Sequence, residues 1–186
     1  MDASKVAIMA EAEPVTSEAR RADAFRALAD RHLDGSYRLA HAILGKRADA
    51  EDATHDAFVT AWRQWSTLRD LALFEHWFDR ILVNTCRNRL RQISRWQARD
   101  LAFERPTRVT DGYGELHDRG MLWPAIEQLP PDQRVVLALR FYRDLTIEQI
   151  AARVGARPGT VKSRLHRALR ALRTTLDTAD PTRTLR

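Results

Sequence analysis

This sequence is poor in the residues that cross-link a chain or cage a metal. It has one cysteine, Cys86, among 186 residues. An internal disulfide is therefore excluded, and a reducing compartment such as the cytoplasm fits. The six histidines are scattered, with no Cys/His group at zinc-ligand spacing. There is no Walker loop and no nucleophile–base pair, so catalytic residues, metal ligands and cofactors are all expected to be none. No run of about eighteen apolar residues occurs, which excludes a membrane-spanning helix on hydropathy grounds. The first residues lack the basic and apolar regions of a signal peptide. Strand patterns and internal repeats are missing too, and lysine is scarce beside arginine.

What is present is a chain that is 44% hydrophobic, enough for a packed core, with 31 basic and 25 acidic residues. The net charge of +6 is unevenly spread. From Arg119 onward there are 13 basic and 6 acidic residues, against 18 and 19 before it. A basic C-terminal half points to a polyanionic partner there. The near-neutral N-terminal half must have a separate task.

Thr146 to Arg170 is the most informative stretch, TIEQIAARVGARPGTVKSRLHRALR. Thr146 with Gln149 three residues on has the spacing of a capping box. Ile147, Ile150, Ala151 and Val154 make one apolar face. Gly155 stands where a helix stops, and Pro158 suits the first turn of the next. In that second helix Val161, Leu165, Ala168, Leu169 and Leu172 form an inward stripe. Lys162, Ser163, His166, Arg167 and Arg170 lie opposite, as donors for phosphates and base edges. Arg164 falls between the faces and is assigned to neither. The alternative is an amphipathic hairpin with a solvated charged face. Cap, glycine turn, proline start and one-sided charge together favour a DNA-binding helix-turn-helix.

Along the rest of the chain, residues 1–16 read as a disordered leader. Helical patterns run over Ser17–Leu33, broken by Asp34-Gly35, and over Ser36–Leu44, ending at Gly45. A third covers Asp49–Trp65, with Ala53, Ala57, Phe58, Ala61 and Trp62 on one side. Its first turn is acidic, as suits a helix N-terminus. Leu71 to about Ile93 carries the stripe Phe74, Trp77, Phe78, Ile81 and Leu82 and ends in arginines. Trp62, Trp65 and Trp77 are expected in the core. Residues 97–118, with Pro106, Gly112 and Gly114, read as a flexible linker. A short helix around Met121–Ile126 follows, then Pro130-Pro131 and a helix to Tyr142. The expected fold is all-α, with two helical domains, 17–96 and 119–176, and a tail at 177–186.

Four segments then occur in a telling order: AEDATHDAFVTAW (Ala50–Trp62), HWFDRILVNTCRNRLR (His76–Arg91), LPPDQRVVLALRFYRDLTIEQIA (Leu129–Ala151) and GTVKSRLHRAL (Gly159–Leu169). Together they resemble a bacterial RNA polymerase sigma factor of the extracytoplasmic-function (ECF) group. The resemblance spans about Ala24 to Leu176. It implies a non-enzymatic initiation factor that joins core RNA polymerase through the β′ and β subunits and acts on promoter DNA. Its first domain opens the −10 element, its second reads the −35 element, and the linker passes through the polymerase interior. An anti-sigma factor is a further candidate partner.

Carried onto this sequence, Asp49, Glu51, Asp52 and Asp56 fall in the polymerase-docking segment. A carboxylate-bearing face suits basic helices on a second protein; from the residues alone, an ordinary solvated face reads equally well. The chain departs from common usage at His55, where glutamine is frequent, and at Phe78, where leucine is. Asn84, Arg87, Asn88 and Arg91 fall in the −10 reader. An amide both donates and accepts, so Asn84 suits the edge of a splayed base, or else local backbone. Arg157, Thr160, Lys162, Ser163, His166 and Arg167 match the −35 surface. Fully extended, the linker reaches about 70 Å, and two turns of DNA span about 70 Å. The rival reading is a helix-turn-helix regulator that binds operators without joining polymerase. The acidic helix and the Asn84 segment argue against it.

Overall fold

Proline and glycine punctuation divides the chain into seven α-helices among the described residues, 17–99 and 119–179 of a computed structural model. They are α1 (Ser17–Leu44), α2 (Arg47–Arg63), α3 (Phe74–Arg99), α4 (Arg119–Glu127), α5 (Pro131–Phe141), α6 (Ile147–Val154) and α7 (Pro158–Ala179). Two short 3-10 turns, Trp65–Thr67 and Leu71–Leu73, connect α2 to α3. No strand occurs among the described residues, in line with the all-α expectation. The leader at 1–16, linker residues 100–118 and tail residues 180–186 lie outside them. Helix α3 runs on to Arg99 and α7 to Ala179, past the expected edges of linker and tail.

The break expected at Asp34-Gly35 does not occur. Helix α1 is continuous, and Ser36 Oγ donates to the His32 carbonyl at 2.7 Å within it. An interior glycine costs a helix about 1 kcal/mol. Burial of Leu39, Ala40, Ile43 and Leu44 just beyond it outweighs that cost. The true stop is Gly45, left-handed at φ +81°, whose N–H donates to the His41 carbonyl at 2.8 Å.

Helices α1 to α3 pack as a first bundle. Alanines do much of the work on α2, where Ala50, Ala53, Ala57 and Ala61 are buried and let the helices approach closely. Phe74 and Phe78 stack at 5.5 Å, and Phe58 lies 4.3 Å from Phe78. Phe25 meets Trp65 edge-on at 5.1 Å. Trp65 is buried and Trp77 partly so, as expected. Trp62 is not core: it is 42% exposed and covers Phe25 from outside. It follows buried Ala61, and one step along the helix turns it off the inward stripe.

Helices α4 to α7 form a second bundle. Thr146 and Gln149 make the capping box in full, and Gly155 closes α6 at φ +65°. Val161, Ala168 and Leu172 face inward from α7, whereas Leu169 is 42% exposed and leaves the expected stripe. The two bundles share one core. Val135, Val136, Leu139, Ile150 and Val154 join the same cluster as Ile43, Phe78, Leu82 and Cys86.

Candidate nucleic-acid interface

Helix α3 carries the first group of predicted site residues. Asn84, Arg87, Asn88 and Arg91 recur at helical spacing along one side. Asn84, Asn88 and Arg91 are exposed. Asn84 Oδ1 accepts from Arg87 at 3.2 Å, so the amide is oriented by its neighbour. Arg87 itself is only 13% exposed, and its Nε lies 2.9 Å from Asp132 at the start of α5. Burial lowers the Arg87 pKa, with Asp132 acting against that loss. Arg91 reaches the same carboxylate at 3.9 Å.

Helix α7 carries the second group. Its entry is shaped by Arg157, whose carbonyl accepts from Thr160 and Val161 N–H at 2.9 and 3.2 Å, with Pro158 opening the first turn. Arg157, Thr160, Lys162, Ser163, His166 and Arg167 are all exposed. Arg167 lies along its own helix, its Nε 3.2 Å from the Ser163 carbonyl and a terminal nitrogen 3.3 Å from Ser163 Oγ. The group forms a donor-rich face over about three turns, of the kind that meets a major groove. Arg164 is directed inward to Asp132, at 2.7 Å.

The acidic group on α2 divides. Asp49 and Asp52 both hold Arg89 of α3, at 2.9 and 2.7 Å. Burial opposes the Arg89 charge, and the two carboxylates outweigh it and raise the pKa. Glu51 pairs with Arg47 one turn back at 2.8 Å. Asp56 is exposed. The structure therefore brings Asp49 and Asp52 together on one arginine and leaves Asp56 facing solvent.

Sequence reasoning missed three participants. Asp79, 1% exposed, receives Arg153 Nε at 3.0 Å and Arg143 at 3.2 Å, both from the second bundle. Burial pushes its carboxyl pKa up, and the two guanidinium groups pull the other way without reversing it. Asp132 gathers Arg87, Arg91 and Arg164, and Arg89 ties α3 to α2. An aspartate within an apolar stripe, as Asp79 is beside Phe78, was the one legible signal. Among the described residues no group of three or more His, Cys, Asp or Glu is placed to hold a metal ion. No described helix is long and apolar enough to cross a membrane.

Two helical bundles, one presenting a basic helix side and the other a helix-turn-helix, define a two-part DNA-reading protein. Comparison with known proteins agrees. Residues 28–96 match the Sigma-70 region 2 family and residues 119–172 match Sigma-70, region 4. The RNA polymerase sigma-E factor of Streptomyces antibioticus is 36% identical over 138 residues, 71% of this chain and 73% of that protein. The ECF RNA polymerase sigma factor SigL of Mycobacterium tuberculosis is 33% identical over 171 residues, 89% of this chain and 96% of that one. Among solved structures, the sigma factor RpoE of Bartonella quintana, in complex with the anti-sigma factor NepR, superposes with a TM-score of 0.65. It is 27% identical, covering 82% of this chain and 96% of its own. CnrH, solved with the cytosolic domain of CnrY, shares the fold at a TM-score of 0.59 and 23% identity, covering 86% and 96%.

The chain belongs to the ECF group of RNA polymerase sigma factors. It is a transcription initiation factor that binds core RNA polymerase and directs it to specific promoters.

Proposed function

We propose a division of labour among the three helix faces. The side of α2 bearing Asp49, Glu51, Asp52 and Asp56 docks on the β′ subunit. Asn84, Arg87, Asn88 and Arg91 on α3 meet the −10 element, with Asn84 pairing a strand-separated base. Arg157, Thr160, Lys162, Ser163, His166 and Arg167 read the −35 duplex, and the second bundle packs on the β flap. In this scheme region 2 extends over 17–96, the linker over 97–118 and region 4 over 119–176. The chain carries no reaction of its own and acts in the cytoplasm. RpoE of B. quintana, 27% identical, was solved with an anti-sigma factor, which supports a protein inhibitor as a partner here.

One observation supports this reading most. The exposed donors of α7 stand on a helix whose partner α6 is closed at both ends, by the Thr146–Gln149 box and by Gly155. Such a helix presents a fixed face to a groove. An operator-binding regulator that never joins polymerase leaves the region 2 match over 28–96 without a purpose. Run-off transcription with core polymerase on genomic fragments is the test. Discrete start sites that depend on this chain support the scheme; start sites unaltered by Arg167→Ala and Asn84→Ala refute the residue assignment.

A further inference from the structure

A cleft within the second bundle holds polar groups that the DNA-reading scheme leaves unused. It encloses about 410 Å³ between the end of α4, the start of α5 and the outer half of α7. Small-molecule sites span about 300–1,000 Å³. Ala125, Leu129, Pro130 and Ala171 supply its apolar lining. Gln128, Gln133, Arg167 and Arg170 supply its polar lining, and no aspartate or glutamate lines it among the described residues.

These polar groups are largely uncommitted. Among the described residues the side chains of Gln128, Gln133 and Arg170 have no hydrogen-bond or ion-pair partner. Arg167 holds only its own helix, at Ser163. The Thr174 and Thr175 hydroxyls, which also line the cleft, donate to the Arg170 and Ala171 carbonyls at 3.1 and 3.0 Å, so their protons are spent. Two guanidinium groups without a carboxylate call for an anion, and the arginine fork matches phosphate. A glutamine amide both donates and accepts, as a nucleobase edge does. The flat face of a base suits the apolar lining.

We propose that this cleft binds a nucleoside monophosphate. The phosphate lies between Arg167 and Arg170, the base edge meets Gln128 and Gln133, and the ring covers the apolar lining. Binding draws Arg167 off the −35 surface, so the occupied chain reads the −35 element poorly. That second step rests on the −35 assignment of Arg167, whereas occupancy of the cleft does not.

Calorimetric titration of the full chain with adenosine and guanosine 5′-monophosphate tests occupancy. At least one should bind saturably, one per chain, with ribose 5-phosphate and inorganic phosphate binding far more weakly. Gln133→Leu removes an amide at similar size and should weaken binding about five- to tenfold. Ala171→Trp fills the cleft from an exposed helix position and should abolish binding, with helix content by circular dichroism unchanged. If Ala171→Trp fails to fold, Gln133→Leu alone carries the test. Neither residue is assigned to DNA or polymerase contact. Lys162→Ala, on the adjoining DNA face, should bind nucleotide as the parent does. With nucleotide at ten times its Kd, the parent's apparent Kd for a −35 duplex should rise about tenfold. Ala171→Trp should bind the duplex equally with and without nucleotide.

No saturable binding by either nucleotide overturns the site. So does inorganic phosphate binding as tightly as the nucleotide. Binding lost in Lys162→Ala and kept in Gln133→Leu also overturns it, because that marks a diffuse attraction to a basic helix. Failure of the −35 assignment has another signature: nucleotide binds and Gln133→Leu weakens it, yet duplex affinity ignores nucleotide and Arg167→Ala transcribes normally.

Discussion

The Arg89 guanidinium donates to the Asp52 carboxylate at 2.7 Å across the seam between α3 and α2. The polymerase-docking face assigned to α2 is thus partly engaged within the chain before any partner arrives.

Charge reversal at Asp52 and at Asp56 should accordingly differ. Asp56→Lys changes an exposed carboxylate and should lower affinity for core polymerase with stability unchanged. Asp52→Lys should lower affinity and also cost up to about 1 kcal/mol of stability, because a partly exposed pair is weakened by solvent. Biolayer interferometry with core enzyme, set beside urea denaturation, separates the two. Unchanged core affinity in folded Asp56→Lys removes Asp56 from the docking face.

At the −35 element, Arg167→Ala should weaken duplex binding by about 1–3 kcal/mol and relax sequence preference if it reads a base. Arg167 first has to leave Ser163, so part of its binding energy offsets that contact. Lys162→Ala should reduce the slope of log affinity against log salt by about one if it meets a phosphate. Parent-like binding by both variants, measured by fluorescence anisotropy at several salt concentrations, excludes this face.

Asn84→Ala should leave closed-complex formation intact and reduce open complex. Unstacking a base costs a few kcal/mol, and a contact made only to the splayed base helps to hold it. Permanganate footprinting of unpaired thymines beside a band-shift assay reads the two steps apart. Normal footprints would leave Asn84 as a partner of Arg87 within α3 and no more.

Gly45→Ala should destabilise the chain more than Gly155→Ala. Both glycines have positive φ, and that strain costs an alanine about 1–2 kcal/mol. At Gly155 nothing lies within 4 Å of an added Cβ, whereas at Gly45 the Trp123 ring must move. Overpacking adds about 1–3 kcal/mol. The difference should appear in urea denaturation, and Trp123→Ala should shrink it. Equal costs at the two glycines would show that Trp123 yields freely.

Burial pushes the Cys86 thiol from 9.0 up to about 12. The native thiol should therefore resist Ellman's reagent at pH 8 and react at the rate of opening. The folded form disfavours the thiolate, so this contribution to stability is complete below pH 9 and is lost as pH rises towards 12. Rapid stoichiometric labelling of native protein at pH 8 would contradict a sealed core around Cys86.

Local chemistry made the second bundle readable. Thr146 and Gln149 act through side-chain bonds to each other's backbone N–H, and Gly155 and Pro158 through their own backbone, so the spacing carries the turn before any tertiary contact exists. The stripe on α3 was legible from its helical period. The outcome at Gly35 was not: whether a glycine ends a helix depends on what is buried beyond it, and Leu39 and Ile43 find their partners on other helices. Trp62 and Leu169 were read as core because residue type was weighed above angular position. Asp79, Asp132 and Arg164 act across separations of many residues, and no window of sequence holds both ends of such a contact.

The closure of α6 at both ends bears on the thermodynamics of recognition. A helix capped by Thr146 and stopped by Gly155 has little fraying left to lose. Its preorganisation removes an entropic cost that a folding-upon-binding segment would bear. Association with a −35 duplex should then proceed without the large negative heat-capacity change that accompanies coupled folding. The calorimetric signature of this half of the protein should be that of rigid surfaces meeting, with selectivity residing in the side chains that α7 is proposed to present.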